Sequence, residues 1–386
     1  MKGIGIHDIA LATAHHVVSL DDLAAADETD PAKFHVGIGQ DEFSFPAPDE
    51  DIVTLAADAA AQILERHGTE GIRTVLFATE SGIDQSKSAG VFLHSLLGLP
   101  AEVRTVELKQ ACYGGTAALQ AALGIISRSP AERVLVIASD VARYALHSSG
   151  EPTQGAGAVA MLVSADPAIL EIEPTVGVST VDADDFFRPN DSDVAVVNGK
   201  LSISVYTQAL NTAWDDLAAH GGPSIDQIAR FCYHQPFTKM ASKAHRSLGR
   251  RLGVELPESS TSQSYAYNRL MGNTYTASLF SGLLALLDDD DALAGQRIGL
   301  FSYGSGSVGE FFTGIVQPGY IDQRRPGAVD AQLRSREPIA IPDYRALHAE
   351  VRPSDVDYKT PRVTTRPFRF TGVSARARRY EKTPEA

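Results

Sequence analysis

The sequence predicts a layered α/β protein built of two core-forming halves. Three observations lead there. At 386 residues the chain exceeds what one hydrophobic core usually serves. Short β-branched runs alternate with longer stretches of helical period. The alternation recurs in both halves, as expected when helices are layered on sheets. Composition agrees: 44% hydrophobic and 21% charged residues are ordinary for a globular protein.

Taken in order, the elements read as follows. Asp51 is placed to cap a helix over Ile52–Arg66, with Ile52, Leu55, Ala56, Ala59, Ile63 and Leu64 on or near one face. Arg73–Thr79 reads as a buried strand ending at Glu80. Ser86–Leu97 reads as a helix, Arg104–Leu108 as a strand and the Ala- and Leu-rich Cys112–Ser127 as a helix. Strands follow at Arg133–Ala138 and Ala158–Val163. In the second half, helices are expected over Ser202–Ala219, Thr238–Leu252 and Thr274–Leu287. The strand Arg297–Tyr303 runs into a Gly-rich turn, Gly304–Gly309, and then the strand Glu310–Val316. From about Pro318 the chain turns Pro- and Arg-rich and reads as an extended, partly strand-forming tail. No repeat between the halves is visible in sequence.

Composition also excludes. The net charge of −14 argues against general nucleic-acid binding. Two cysteines, Cys112 and Cys232, are too few for a disulfide scaffold, and no CxxC or Cys/His cluster offers a structural zinc site. The stretch MKGIGIHDIALATAHH has too short an apolar run for a signal peptide. The most apolar segment, Ser278–Leu287, falls far short of a membrane span. A reducing cytosol is the expected compartment.

Several residues could carry chemistry. Cys112, in ELKQACYGGTAAL, is expected at a helix N-terminus, where the dipole and free backbone N–H groups favour thiolate. Gly114 and Gly115 would let other backbone pack close. The ordinary alternative is a buried structural cysteine. Glu80, in FATESGID, ends a buried strand, where α/β folds place ligands; the ordinary alternative, which its position alone favours, is a surface loop glutamate. His234, in FCYHQPFTKM, could be a general base or a satisfied core histidine, with Cys232 in the core of the same strand. Asn273 could serve a ligand or simply cap a helix. The turn GSGSVG matches GxGxxG, yet a strand follows it and not a helix, which argues against dinucleotide binding. Its backbone N–H groups fit oxyanion donors better. From Ile228 to Val254 there is no acidic residue, while Lys239, Lys243, Arg246 and Arg250 fall on one helical face. That face suits phosphates or is simply a solvated basic surface.

Together, HVGIGQDEF, FATESGID, ELKQACYGGTAAL, VLVIASDVARY, GEPTQGAGAVAML, CYHQPFTKM, YNRLMGNTYTAS and IGLFSYGSGSVGEFF resemble the bacterial 3-hydroxy-3-methylglutaryl-CoA synthases over about residues 1–320. The resemblance implies a five-layer αβαβα thiolase-like fold of two similar halves, 1–165 and 166–330, with the tail 331–386 packed on the body. It implies a cytoplasmic homodimer that needs no cofactor and no metal. Its substrates would be acetyl-CoA and acetoacetyl-CoA, with neither nucleic acid nor membrane as partner. By the same resemblance Cys112 would hold the acetyl group, Glu80 would act as acid and base, and His234 would orient the acceptor. Asn273 would support the acceptor, and backbone N–H groups of Cys112 and Ser305 would form the oxyanion hole. Tyr144 would line the acyl pocket, with Lys239 and Lys243 at the CoA entrance.

Two related enzymes and one non-enzyme reading compete. Ketoacyl-carrier-protein synthase III also uses Cys, His and Asn, but it decarboxylates its donor and needs no carboxylate such as Glu80. The β-branching synthases of polyketide assembly run the same chemistry on carrier-bound substrates; the intact PFTKM and GEPTQGAGAVAM favour the CoA enzyme. A catalytically dead scaffold would not be expected to keep Cys112, Glu80, His234 and Asn273 together.

Overall fold

In a computed structural model, residues 3–350 and 355–383 are described. The N-terminal stretch forms the strand β1 (Ile4–Thr13), followed by β2 (His16–Ser19), the short helix α1 (Leu20–Ala26), a π-helical segment (Lys33–Ile38) and β3 (Glu42–Phe45). The helix expected after Asp51 is α2 (Ile52–His67). Asp51 Oδ1 accepts from Val53 N and Thr54 N, and Thr54 Oγ1 accepts from Asp51 N in return, a reciprocal cap. Next come β4 (Ile72–Ala78), α3 (Ala89–Leu96), β5 (Arg104–Leu108), α4 (Gly114–Arg128), β6 (Arg133–Ala142) and β7 (Gly155–Ala165). α3 starts three residues later than expected, because Asp84 holds Ser86 N and Lys87 N in a turn and Ser88 caps the helix.

The second half runs β8 (Leu170–Thr180), the short pair β9 (Phe186–Phe187) and β10 (Val196–Val197), α5 (Gly199–Ala219), β11 (Arg230–Tyr233), α6 (Lys239–Leu252), α7 (Ala266–Met271), α8 (Ser278–Asp289), β12 (Arg297–Gly304) and β13 (Val308–Val316). The helix expected from Thr274 begins only at Ser278. Tyr275 takes φ +46, and a tight turn over Tyr275–Ala277 precedes the helix. The tail is not merely extended. It forms α9 (Tyr320–Gln323), α10 (Ala328–Arg334), β14 (Glu337–Pro338) and α11 (Ile341–Ala349), then β15 (Tyr358–Lys359), β16 (Phe368–Ser374) and β17 (Ala377–Lys382). Val329 and Leu333 in α10, and Ile341, Tyr344 and His348 in α11, supply the helical spacing that the Pro-rich flanks obscure.

Nine strands align in the order β11-β12-β13-β8-β1-β7-β6-β4-β5. The two middle strands, β8 and β1, meet over only two residue pairs, Gly5 with Glu171 and Ile6 with Leu170. Outward from that seam the same ladder pattern appears on each side. β1–β7 and β7–β6 are antiparallel and β6–β4 parallel; β8–β13 and β13–β12 are antiparallel and β12–β11 parallel. α4 and α8 lie between the two arrays in one continuous core with Val136, Val159, Leu300 and Phe312. α2 covers the outer face of one array and α5 with α6 that of the other. These are five layers, helix–sheet–helix–sheet–helix, as expected. Cys232 fills a fully buried core position on β11. Among the described residues no helix is long and apolar enough to cross a membrane.

Candidate active site

Cys112 sits on a tight turn between β5 and α4. Ala111 takes φ +43, a left-handed conformation that costs an L residue about 1–3 kcal/mol. The turn is closed by Tyr113 N to Gln110 O and Gly114 N to Ala111 O, both 3.1 Å. A Cβ on Gly115 would lie 2.6 Å from the Thr276 carbonyl oxygen, and one on Gly304 2.5 Å from that of Gln110. These two glycines therefore let the segment after Asn273 and the Gly-rich turn close directly over the thiol turn.

Cys112 Sγ donates to Glu80 Oε1 at 2.8 Å. Glu80 follows the C-terminal end of β4, which is parallel to both its neighbours. Its position is set by Asp140, fully buried on β6. Asp140 Oδ1 accepts from Thr79 Oγ1, Glu80 N, Ser81 N and Ser81 Oγ at 2.7–2.9 Å. Asp140 Oδ2 accepts from Thr276 N at 3.0 Å and Thr276 Oγ1 at 2.5 Å. One carboxylate thus ties the Glu80 strand end to the segment carrying Asn273. Burial, and then the Asp140 charge, push the Glu80 carboxyl up to about 8. Burial, and then Glu80, raise the Cys112 thiol well above its ordinary value. The expectation of a thiol biased to thiolate by a helix N-terminus is corrected here. α4 starts two residues later, and the ionisable group nearest the thiol is an acid and not a base.

His234 follows β11. Its backbone N donates to Phe301 O, and its carbonyl accepts from Tyr206 OH at 2.8 Å. The side chain is buried, which pushes the imidazole down to about 3 and keeps it neutral. Nδ1 has no hydrogen-bond partner among the described residues. Asn273 is buried and Oδ1 accepts from Tyr275 N at 2.9 Å, so it does cap the turn before α8.

A cavity of about 300 Å³ brings Cys112, Tyr144, His234, Asn273, Ser305 and Lys243 together. Glu80 reaches it through the thiol. Its own wall faces an adjoining cavity that shares Phe186, Tyr275 and Ser305. Tyr144 is buried against Cys112 and Tyr275. Lys243 crosses the Phe237 ring at 5.0 Å. Lys239 does not line this cavity; its Nζ donates to the Val36 carbonyl at 2.8 Å. Two acidic residues went unremarked in the sequence. One is Asp140, detectable as a lone charge in the apolar run VLVIASD. The other is Asp185, buried, which accepts from Gly306 N at 2.9 Å and Tyr303 OH at 2.8 Å and so fixes the Gly-rich turn.

The layers and this cavity define a thiolase-like protein that holds a thiol on the wall of an apolar pocket, in contact with a carboxyl group that faces the adjoining cavity. Two family models match the chain: "Hydroxymethylglutaryl-coenzyme A synthase N terminal" over residues 1–168 and "Hydroxymethylglutaryl-coenzyme A synthase C terminal" over residues 250–346. The chain belongs to the hydroxymethylglutaryl-CoA synthase family. It is 41% identical to the hydroxymethylglutaryl-CoA synthase of Enterococcus faecalis, over 92% of this chain and 94% of that one. It is 32% identical to the polyketide biosynthesis 3-hydroxy-3-methylglutaryl-ACP synthase PksG of Bacillus subtilis (strain 168), over 90% and 88%. A crystal structure of an HMG-CoA synthase complexed with CoA superposes with a TM-score of 0.94 at 38% identity, covering 99% of this chain and all of that one.

Proposed function

We propose that the chain condenses acetyl-CoA with acetoacetyl-CoA and water, giving 3-hydroxy-3-methylglutaryl-CoA and free CoA. The contact of Cys112 Sγ with Glu80 Oε1 at 2.8 Å beside an apolar cavity carries this reading. In the free protein Glu80 opposes ionisation of the thiol, whereas the thiol's hydrogen bond favours the Glu80 carboxylate, so a negative charge on the pair sits on Glu80 and not on the sulfur. Cys112 loses its proton as it attacks the acetyl thioester, and CoA leaves as the thiol. Acetylation removes the thiol proton and its hydrogen bond to Glu80. Glu80, a stronger base than a solvated carboxylate, then takes a proton from the acetyl methyl group. The resulting carbanion adds to the acceptor ketone, and the alkoxide takes a proton back from Glu80. Water finally cleaves the Cys112 thioester. His234 and Asn273 act as neutral hydrogen-bonding groups toward the acceptor, and backbone N–H groups of Cys112 and Ser305 receive the thioester oxygen. Tyr144 shapes the acyl pocket and Lys243 meets the CoA phosphates. Both thioesters are substrates, and the reaction uses no separate cofactor. The same reading divides the chain into catalytic halves 1–165 and 166–330 with a tail, working as a cytosolic homodimer.

Incubation with acetyl-CoA should add one acetyl group to the Cys112 peptide, and acetoacetyl-CoA should then release 3-hydroxy-3-methylglutaryl-CoA. Acetyl label on Cys232, or steady CoA release beyond the one equivalent of acetylation at a rate that ignores the acceptor, would overturn the assignment. The similarity to PksG makes a carrier-bound acceptor the second reading. Turnover of carrier-linked acetoacetyl with none of acetoacetyl-CoA would establish it instead.

A further inference from the structure

Away from the cavity, a second cluster of polar side chains lies where the tail meets the N-terminal strands. His15 and His16 are both more than nine-tenths buried, their rings edge to face at 4.7 Å. One nitrogen of each ring and a carboxylate oxygen of Glu337 all lie within 4.8 Å of one another. His16 Nδ1 is buried without a hydrogen-bond partner among the described residues, a costly state in a protein interior unless something else occupies the lone pair or proton, and His15 Nε2 makes no hydrogen bond beyond its approach to Glu337. His15 Nε2 stands 3.3 Å from Glu337 Oε2. That is about the separation of two ligands bound at 2.0–2.1 Å to a tetrahedral cation.

The backbone fixes these groups before any ion arrives. β14 pairs parallel with β2, Glu337 opposite His16. Glu337 N donates to His15 O at 2.8 Å, Ile339 N to Val17 O at 3.1 Å, and His15 N to Glu50 Oε2 at 2.8 Å. The neighbouring Arg336 directs its guanidinium to Glu42, Ser44 and the Leu270 carbonyl.

We propose that His15, His16 and Glu337 bind one divalent transition-metal ion of the zinc class and clamp the tail onto β2. Two imidazole nitrogens and one carboxylate oxygen favour zinc or cobalt over magnesium or calcium, and they leave a fourth position for water. Glu337 is 65% exposed, which opens a route from solvent. β14 is only two residues long, so an ion here would add a firm attachment to a weak ladder. The site is not legible in the sequence because Glu337 is remote from the tandem histidines in the chain. The inference is independent of the reaction assigned to Cys112.

The test uses full-length protein carrying Cys112→Ser, so that the reactive thiol cannot take up metal. Calorimetric titration with Zn²⁺ should give one equivalent per chain, and Co²⁺ should show the visible bands of a tetrahedral site without thiolate charge transfer. Zn²⁺ should raise the unfolding temperature by roughly 2 °C or more. His15→Ala and His16→Ala should abolish the uptake and the shift. Glu337→Gln is exposed, so folding should be unaffected, and it should weaken binding by about tenfold or more. No zinc uptake, uptake that none of the three changes weakens, or equal binding of Mg²⁺ would each overturn the proposal.

Discussion

Glu80 is a carboxyl group whose ionisation the surrounding protein opposes, and that opposition has two measurable faces. Its value in the folded protein is about 8 against an ordinary 4.5. The folded state therefore holds a proton that the unfolded state releases, and stability falls as pH rises between those values. Glu80→Gln should remove this fall: the variant should unfold at a higher temperature than wild type at pH 9, the gap closing toward pH 5. Catalytically it should do the reverse of help. With the anion gone the Cys112 thiol ionises more easily, so acetyl-Cys112 should still form. Carbon–carbon bond formation should drop by ~10²–10⁴. Rapid-quench measurement of acetyl-enzyme beside product formation separates the two steps, and condensation above about a tenth of wild type would require another base. Cys112, Glu80 and His234 were legible because each stands at a strand end or turn in a distinctive motif. Asp140 and Asp185 were not, because their donors come from segments far apart in the chain. Nor could the sequence show that the ionisable group nearest the thiol is a carboxyl group.

Single elements carry more than one duty. Asp51 caps α2 and also holds the end of the tail: Oδ2 accepts from Arg378 Nη2 at 2.5 Å and Tyr380 OH at 2.6 Å. Asp51→Asn should keep the cap and lose the charge pairing, whereas Asp51→Ala loses both. The alanine variant should be less stable than the asparagine one by ~1 kcal/mol, read from urea midpoints. α6 divides in the same way. Its basic stripe was plain from spacing, but only contact geometry separates Lys243, which lines the cavity, from Lys239, which ties down the π-helical segment. Lys243→Ala should raise KM for acetoacetyl-CoA roughly fivefold, equivalent to ~1 kcal/mol, with kcat little changed. A truncated acetoacetyl-pantetheine should show no such rise, and Lys239→Ala should raise KM less. Equal loss with both substrates would assign Lys243 to the fold. Helix boundaries were read well where a side-chain cap marks them, as at Asp51. They were misread at Thr274, where Asn273 and Asp140 hold the backbone out of the helix.

Across the whole molecule the alternation of periods was enough to read two layered halves, but not the seam between them or the folded tail. Phe368, Phe370 and Val373 of β16 are buried, and Arg366, Arg369 and Arg378 face Asp58, Asp49 and Asp51. A chain ending at residue 354 would expose that apolar face and leave those carboxylates without their cations. It should lose more than ~5 kcal/mol of stability, seen as a lowered denaturant midpoint or as precipitation. α4 and α8 lie sheathed between the two strand arrays, whereas the cavity wall between β8 and α5 has as its own ladder the two-residue β9–β10 pair and is otherwise pinned by single contacts such as Ala195 N to Arg143 O and Arg188 Nη2 to Glu80 O. Amide hydrogen exchange should therefore report two clocks in one site. Amides of α4 and α8 should exchange only through global unfolding, while those of residues 186–197 should exchange through local opening, orders of magnitude sooner. Cys112 and the segment after Asn273 would then stay in register while the wall beside them opens and closes many times, giving a small molecule a way in and out without the two halves ever parting.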